Sequence, residues 1–167
     1  IYQEFFVKPR ENYDPALAAN EIKLNAIYYA VARARKPTGR LNVDDVNNAK
    51  AVYQKGIQDI PNDPLLIVGL AHIELLQGGD INSIKQKFEQ AITTATETKG
   101  KLKGRVNSAV LNAIGRANAS VGANQGDHVY AIEKLKLAAE QELAPADVFV
   151  NMGINHLRMG GENGGEA

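Results

Sequence analysis

One spacing of apolar and small residues recurs three times along the chain. It reads Leu65-x-x-Val68-Gly69-x-x-His72, then Leu111-x-x-Ile114-Gly115-x-x-Asn118, then Phe149-x-x-Met152-Gly153-x-x-His156. A second spacing follows or precedes each of these: Ala49-x-x-x-Tyr53-x-x-Gly56, Ile84-x-x-x-Phe88-x-x-Ala91 and Ala131-x-x-x-Leu135-x-x-Ala138. Three- and four-residue steps are helical steps, because residues so spaced share one face of an α-helix. Small residues at fixed positions let two antiparallel helices approach closely, and the large ones fill the gaps between pairs. A single pair cannot bury its apolar face, so neighbouring pairs must stack.

The punctuation agrees. A first helix is expected over about 14–35, opened by Asp14 as N-cap and Pro15 and stopped at Lys36-Pro37-Thr38-Gly39. A second is expected over 43–59, capped by Asn42, with Asp44 and Asp45 in the first turn, where acids complement the helix dipole. Asp63 and Pro64 start a third, which ends at Gly78-Gly79. Further helices are expected over 81–98, 106–121, 127–142 and 147–159, with 99–104 as a linker. No segment alternates apolar and polar residues over a strand length, so the chain reads as all-α, in pairs at about 14–60, 63–98, 106–143 and 147–167, the last incomplete.

These residues resemble the tetratricopeptide repeat. In that pattern a large apolar residue, Leu-Gly and an aromatic mark the first helix; Ala, a large residue, Ala and a closing Pro mark the second. The long glycine-rich turns and the phrase 111–117 are most similar to repeat proteins of the Bacteroidetes lineage. The resemblance covers about 22–167 and implies an α-α superhelix, a solenoid of about three pairs. Three departures stand out: turns longer than the consensus, a weaker first pair around Ile22 and Tyr29, and an insertion at 37–42. The first residues, 1–9, are expected to end another second helix. Ile1 follows no charged and apolar leader pattern, and 160–167 read as a turn before another helix, which suggests a piece of something longer.

Catalytic chemistry has few candidates. The chain has no cysteine, which removes thiol nucleophiles, disulfides and thiolate metal sites. Of its three histidines, His72 and His156 share one repeat position and are expected to pack between helices, while His128 is expected beside the helix cap Asp127. No Gly-x-Ser-x-Gly elbow and no phosphate-binding glycine loop occurs. We therefore expect no enzyme, no cofactor and no metal. Lys and Arg together number 19, matched by 19 Asp and Glu. A zero balance argues against nucleic acid, which needs a basic footprint, and composition argues against membrane insertion. Lys99, Lys101, Lys103 and Arg105 are expected in a solvated linker, and the sequon Asn118-Ala119-Ser120 on a helix. Lack of cysteine suits a cytoplasm or a bacterial periplasm or envelope alike.

What remains is binding. The resemblance implies a concave groove lined by first helices. The positions facing it include Leu66, Leu70 and Ile73, then Asn112 and Arg116, then Ile154, with Asn151 and Arg158 adjacent. Leu66 and Leu70 stand where a Lys/Asn carboxylate clamp would begin, so the groove suits an extended or helical peptide with one hydrophobic anchor. The expected role is a protein or peptide interaction module. The alternative is an assembly arm of an envelope or polysaccharide-handling complex, in contact through the glycine-rich turns.

Overall fold

The computed structural model describes residues 28, 30–33, 42–97, 103–141 and 144–160. All regular structure among them is helical: α1 (Val43–Asp59), α2 (Pro64–Leu76), α3 (Ile81–Glu97), α4 (Lys103–Ala119), α5 (His128–Ala139) and α6 (Val148–Gly160). Tyr28 and residues 30–33 are helical too.

Side chains set most of these starts. The Asn42 carboxamide oxygen accepts from the Asp44 amide at 2.9 Å, Asp63 accepts from Leu66 at 2.9 Å, Asp80 from Ser83 at 2.8 Å and Asp127 from Tyr130 at 3.0 Å. Each satisfies an amide that the helix cannot pair internally. The end of α2 needs its glycines: Gly78 sits at φ 79°, its amide donates to Leu75 O at 3.1 Å and that of Gly79 to Glu74 O at 2.9 Å. This closure requires a left-handed residue, which glycine supplies without steric cost.

Helix boundaries depart from expectation in two places. α4 begins at Lys103 rather than 106, so Lys103 and Arg105 belong to a helix and not to a linker; Lys and Arg are good helix formers and extend the first turn. α5 ends at Ala139, three residues early, with Glu140 as its C-cap. The expected helix over 14–35 falls within the described residues only at 28 and 30–33; the segments 1–9 and 161–167 lie outside them.

Each helix packs on the next in sequence, and α2, α4 and α6 also pack side by side in succession. The largest core cluster centres on Phe88, with Leu65, Val68 and Leu75 of α2, Ile84 of α3 and Val110 and Ile114 of α4. A second joins Leu66 and Ile73 of α2 to Val46 and Tyr53 of α1 and to Tyr28. The third is small: Leu111, Leu135, Ala138 and Val148. α2 is thus apolar nearly all round, as a helix covered on several sides must be.

Candidate functional site

The expected apolar end of the groove is core. Leu66 is fully buried and Ile73 nearly so, packed with Tyr28, Tyr53 and Val46, while Leu70 is partly buried against the same cluster. A Cβ placed on Gly56 would lie 3.0 Å from Leu66 Cδ1 and 3.3 Å from the Tyr28 ring, so Leu66 is held between two helices. These leucines therefore offer no open anchor. The reason is the helical stretch around Tyr28, whose Tyr28 hydroxyl donates to Asp59 at 2.7 Å. Burial, then the bond to Asp59, pushes the Tyr28 hydroxyl well above the usual phenol range.

Three of the polar candidates come together. Asn112 Nδ2 donates to Asp147 Oδ1 at 2.8 Å, Arg116 donates to Asp147 Oδ2 in an ion pair, and Asn151 Nδ2 donates to Asn112 Oδ1 at 2.8 Å. Asn112 and Asn151 are buried, so this ladder joins α4 to α6. Ile154 is half-buried beside it, and Arg158 is exposed near the end of α6.

Two residues that sequence reasoning passed over complete the arrangement, Asp147 and Asn155. The fully buried Asn155 donates from Nδ2 to Gly115 O at 2.9 Å and to Asn151 O at 2.8 Å. Its carboxamide oxygen faces His128 Nδ1 at 2.8 Å, and His128 Nε2 lies 3.2 Å from Gly122 O. The ring thus bridges the Asn155 carboxamide and the Gly122 carbonyl. Asp147, just before α6, and Asn151 and Asn155 on it are spaced four residues apart, and that polar stripe is the signal available in the sequence.

The remaining histidines divide. His72 is buried and lies 2.7 Å from Ser120 Oγ, as its repeat position predicts. His156 is exposed, contrary to expectation, because nothing among the described residues covers that side of α6. The sequon asparagine, Asn118, is fully buried; its oxygen accepts from the Asp127 amide at 2.9 Å, so its side chain is spent on the turn.

That turn, 120–127, borders a cleft of about 470 Å³ lined by Ile81, Lys85, Asp127, His128, Arg158 and Met159 among others. It is tied down on several sides: Gln125 Nε2 donates to Leu75 O at 2.6 Å and Lys85 pairs with Asp127 at 2.7 Å. Lys85 and Lys134 each sit 4.8 Å from the centroid of the Tyr130 ring, which stacks on Phe88 at 6.5 Å. Burial alone would raise the Asp127 carboxyl, but the Lys85 ammonium and the Tyr130 amide outweigh it and hold it below the usual range. Glu89 is lowered likewise: burial opposes, and Lys134 prevails.

The sign of the pH effect follows. A carboxylate whose folded pKa is depressed stabilises the fold above its unfolded value, roughly 4, and loses that contribution as pH falls through the folded value. Acid unfolding should therefore set in below roughly pH 4. Asp127→Asn keeps the cap but removes the charge, so the difference between urea midpoints at neutral and acid pH should shrink; an unchanged difference would show that Asp127 carries none of it.

Among the described residues no three His, Asp or Glu cluster as a metal site would require, and no helix is long and apolar enough to cross a membrane. Comparison with family models, with curated proteins and with solved structures finds no match.

Proposed function

We propose that the chain is an α-solenoid of tetratricopeptide-like helix pairs that binds a peptide or protein partner and performs no chemistry of its own. The observation that carries this reading is the row of α2, α4 and α6, packed in succession with Gly69, Gly115 and Gly153 in one register. Stacked units that each contact their neighbours create extended surfaces, and such surfaces serve recognition. The buried histidine and asparagines are spent on packing α4, α5 and α6 together. Their polar atoms are thus engaged in holding the helices together.

The partner surface in this reading is narrower than the sequence suggests. With Leu66 and Ile73 in the core, it comprises the outer edge of the Arg116–Asp147 pair, half-buried Ile154 and exposed Arg158. Such a strip favours an extended peptide with an acidic side chain for Arg158. We prefer it to contact through the glycine-rich turns because the 120–127 turn already holds α2, α3 and α5 in place.

Panning a display library of random short peptides against the folded chain tests this. Enriched peptides should carry acidic residues and lose about tenfold or more in affinity to Arg158→Glu combined with Ile154→Asp, an amount that one charge-assisted contact supplies. An absence of enrichment, or binding indifferent to both substitutions, would defeat the assignment.

A further inference from the structure

The three glycines of the row share a register but not an environment. A Cβ at Gly69 would overlap the ring of Tyr53 from α1, and one at Gly115 would overlap the isobutyl group of Leu135 from α5. At Gly153 nothing lies within 4 Å. The surrounding positions follow suit. Leu111, Asn112 and Ala119 on α4 are 3%, 5% and 7% exposed, whereas their counterparts Phe149, Val150 and Leu157 on α6 are 66%, 61% and 76% exposed. Glycine inside a helix costs about 1 kcal/mol relative to alanine. At Gly69 and Gly115 a close-packed side chain offsets that cost; at Gly153 no described residue does.

The residues after α6 repeat those after α4. The turn before α5 reads Gly122-Ala123-Asn124-Gln125-Gly126-Asp127, and the sequence after Gly160 reads Gly161-Glu162-Asn163-Gly164-Gly165-Glu166. Both runs are Gly-x-Asn-x-Gly followed by an acid, and in the first that acid caps the helix whose Leu135 fills the Gly115 notch.

We infer that the exposed face of α6 is the seat of a further helix of this same chain, lying beyond residue 167 and docked as α5 is docked on α4, with a large apolar side chain over Gly153. Leu135 stands eight places after Asp127; the same spacing after Glu166 reaches position 174, where the large residue falls. Phe149 and Leu157, one turn to either side of Gly153, form the walls of the notch. This face is thereby internal packing, distinct from the recognition strip proposed above, and it stands whether or not a peptide binds there.

The test compares the 167-residue chain with one extended through the codons that follow Ala167. The extended chain should carry a large apolar residue at or next to position 174, suppress binding of an apolar fluorescent dye, and slow amide exchange over 148–160 by about tenfold or more, as burial of a helix face does. Gly153→Leu should leave the unfolding midpoint of the 167-residue chain unchanged or raised and lower that of the extended chain. A stop codon directly after Ala167, exchange over 148–160 that the extension leaves unaltered, or Gly153→Leu tolerated equally in both chains overturns the inference. So does a dimer of the 167-residue chain through α6 that the extension leaves intact.

Discussion

Replacing Phe88 by alanine is expected to cost about 3–5 kcal/mol, because a fully buried aromatic at a junction of helices loses its transfer energy and leaves a cavity. Phe88 is fully buried, touches the apolar faces of α2 and α4 from α3, and stacks on Tyr130, whose hydroxyl burial pushes well above the usual phenol range. No single motion of one helix closes such a gap. At roughly 2–4 °C per kcal/mol for a chain of this size, the midpoint of thermal unfolding should fall by roughly 6–20 °C. The exposed Val129 on α5, changed to alanine, provides the contrast and should stay within about 0.5 kcal/mol. A Phe88 cost below about 1 kcal/mol, measured by urea unfolding, would mean that this cluster is not the centre of the core.

The second large effect concerns polar groups. Asn155→Leu keeps a similar volume but removes the second donor that Gly115 O and Asn151 O hold beside their helical amides, and leaves His128 Nδ1 without its partner. The buried ring nitrogen left unsatisfied costs about 1–3 kcal/mol and each of the two lost carbonyl bonds about 0.5–1.5, so a total of roughly 2–4 kcal/mol is expected. Because one side chain serves three partners, the loss should not be additive with changes at His128. In a background already carrying His128→Phe, Asn155→Leu should cost about 1–2 kcal/mol less than it does alone. Strict additivity in that double-mutant cycle would sink the view that the two residues work as one unit.

The parts legible in the sequence were those governed by local chemistry. Asn42, Asp63 with Pro64, and Asp127 each cap the helix that they were expected to cap, since a cap is decided within three residues. The register of Gly69 and Gly115 was legible because only a missing Cβ fits against Tyr53 and Leu135. Less could be learned about which faces are covered. Leu66 and Ile73 occupy groove positions on a helical wheel, and only the placement of the helix around Tyr28 makes them core. His156 shows the reverse, since a position that is buried as His72 on α2 is open on α6. His128 and Asn155 lie far apart in the chain and carry no motif, so their pairing depends on how α5 and α6 cross. Long-range pairing of this kind is a property of packing rather than of any window of residues.

The order in which the helices touch has a bearing on how the chain gains and loses its structure. Because α1 to α6 meet chiefly their immediate and next-but-one neighbours, most native contacts close short stretches of chain, and little loop entropy opposes their formation. Cooperativity then has to be relayed from one interface to the next, as in a one-dimensional lattice with a finite correlation length. Each interface then sets how readily its two helices part, and that of α6 with α4 is reinforced by Asn112, Arg116 and Asp147. The polar ladder acts as a latch between these two helices, and a heat-capacity trace broader than an all-or-none transition is what relayed unfolding produces.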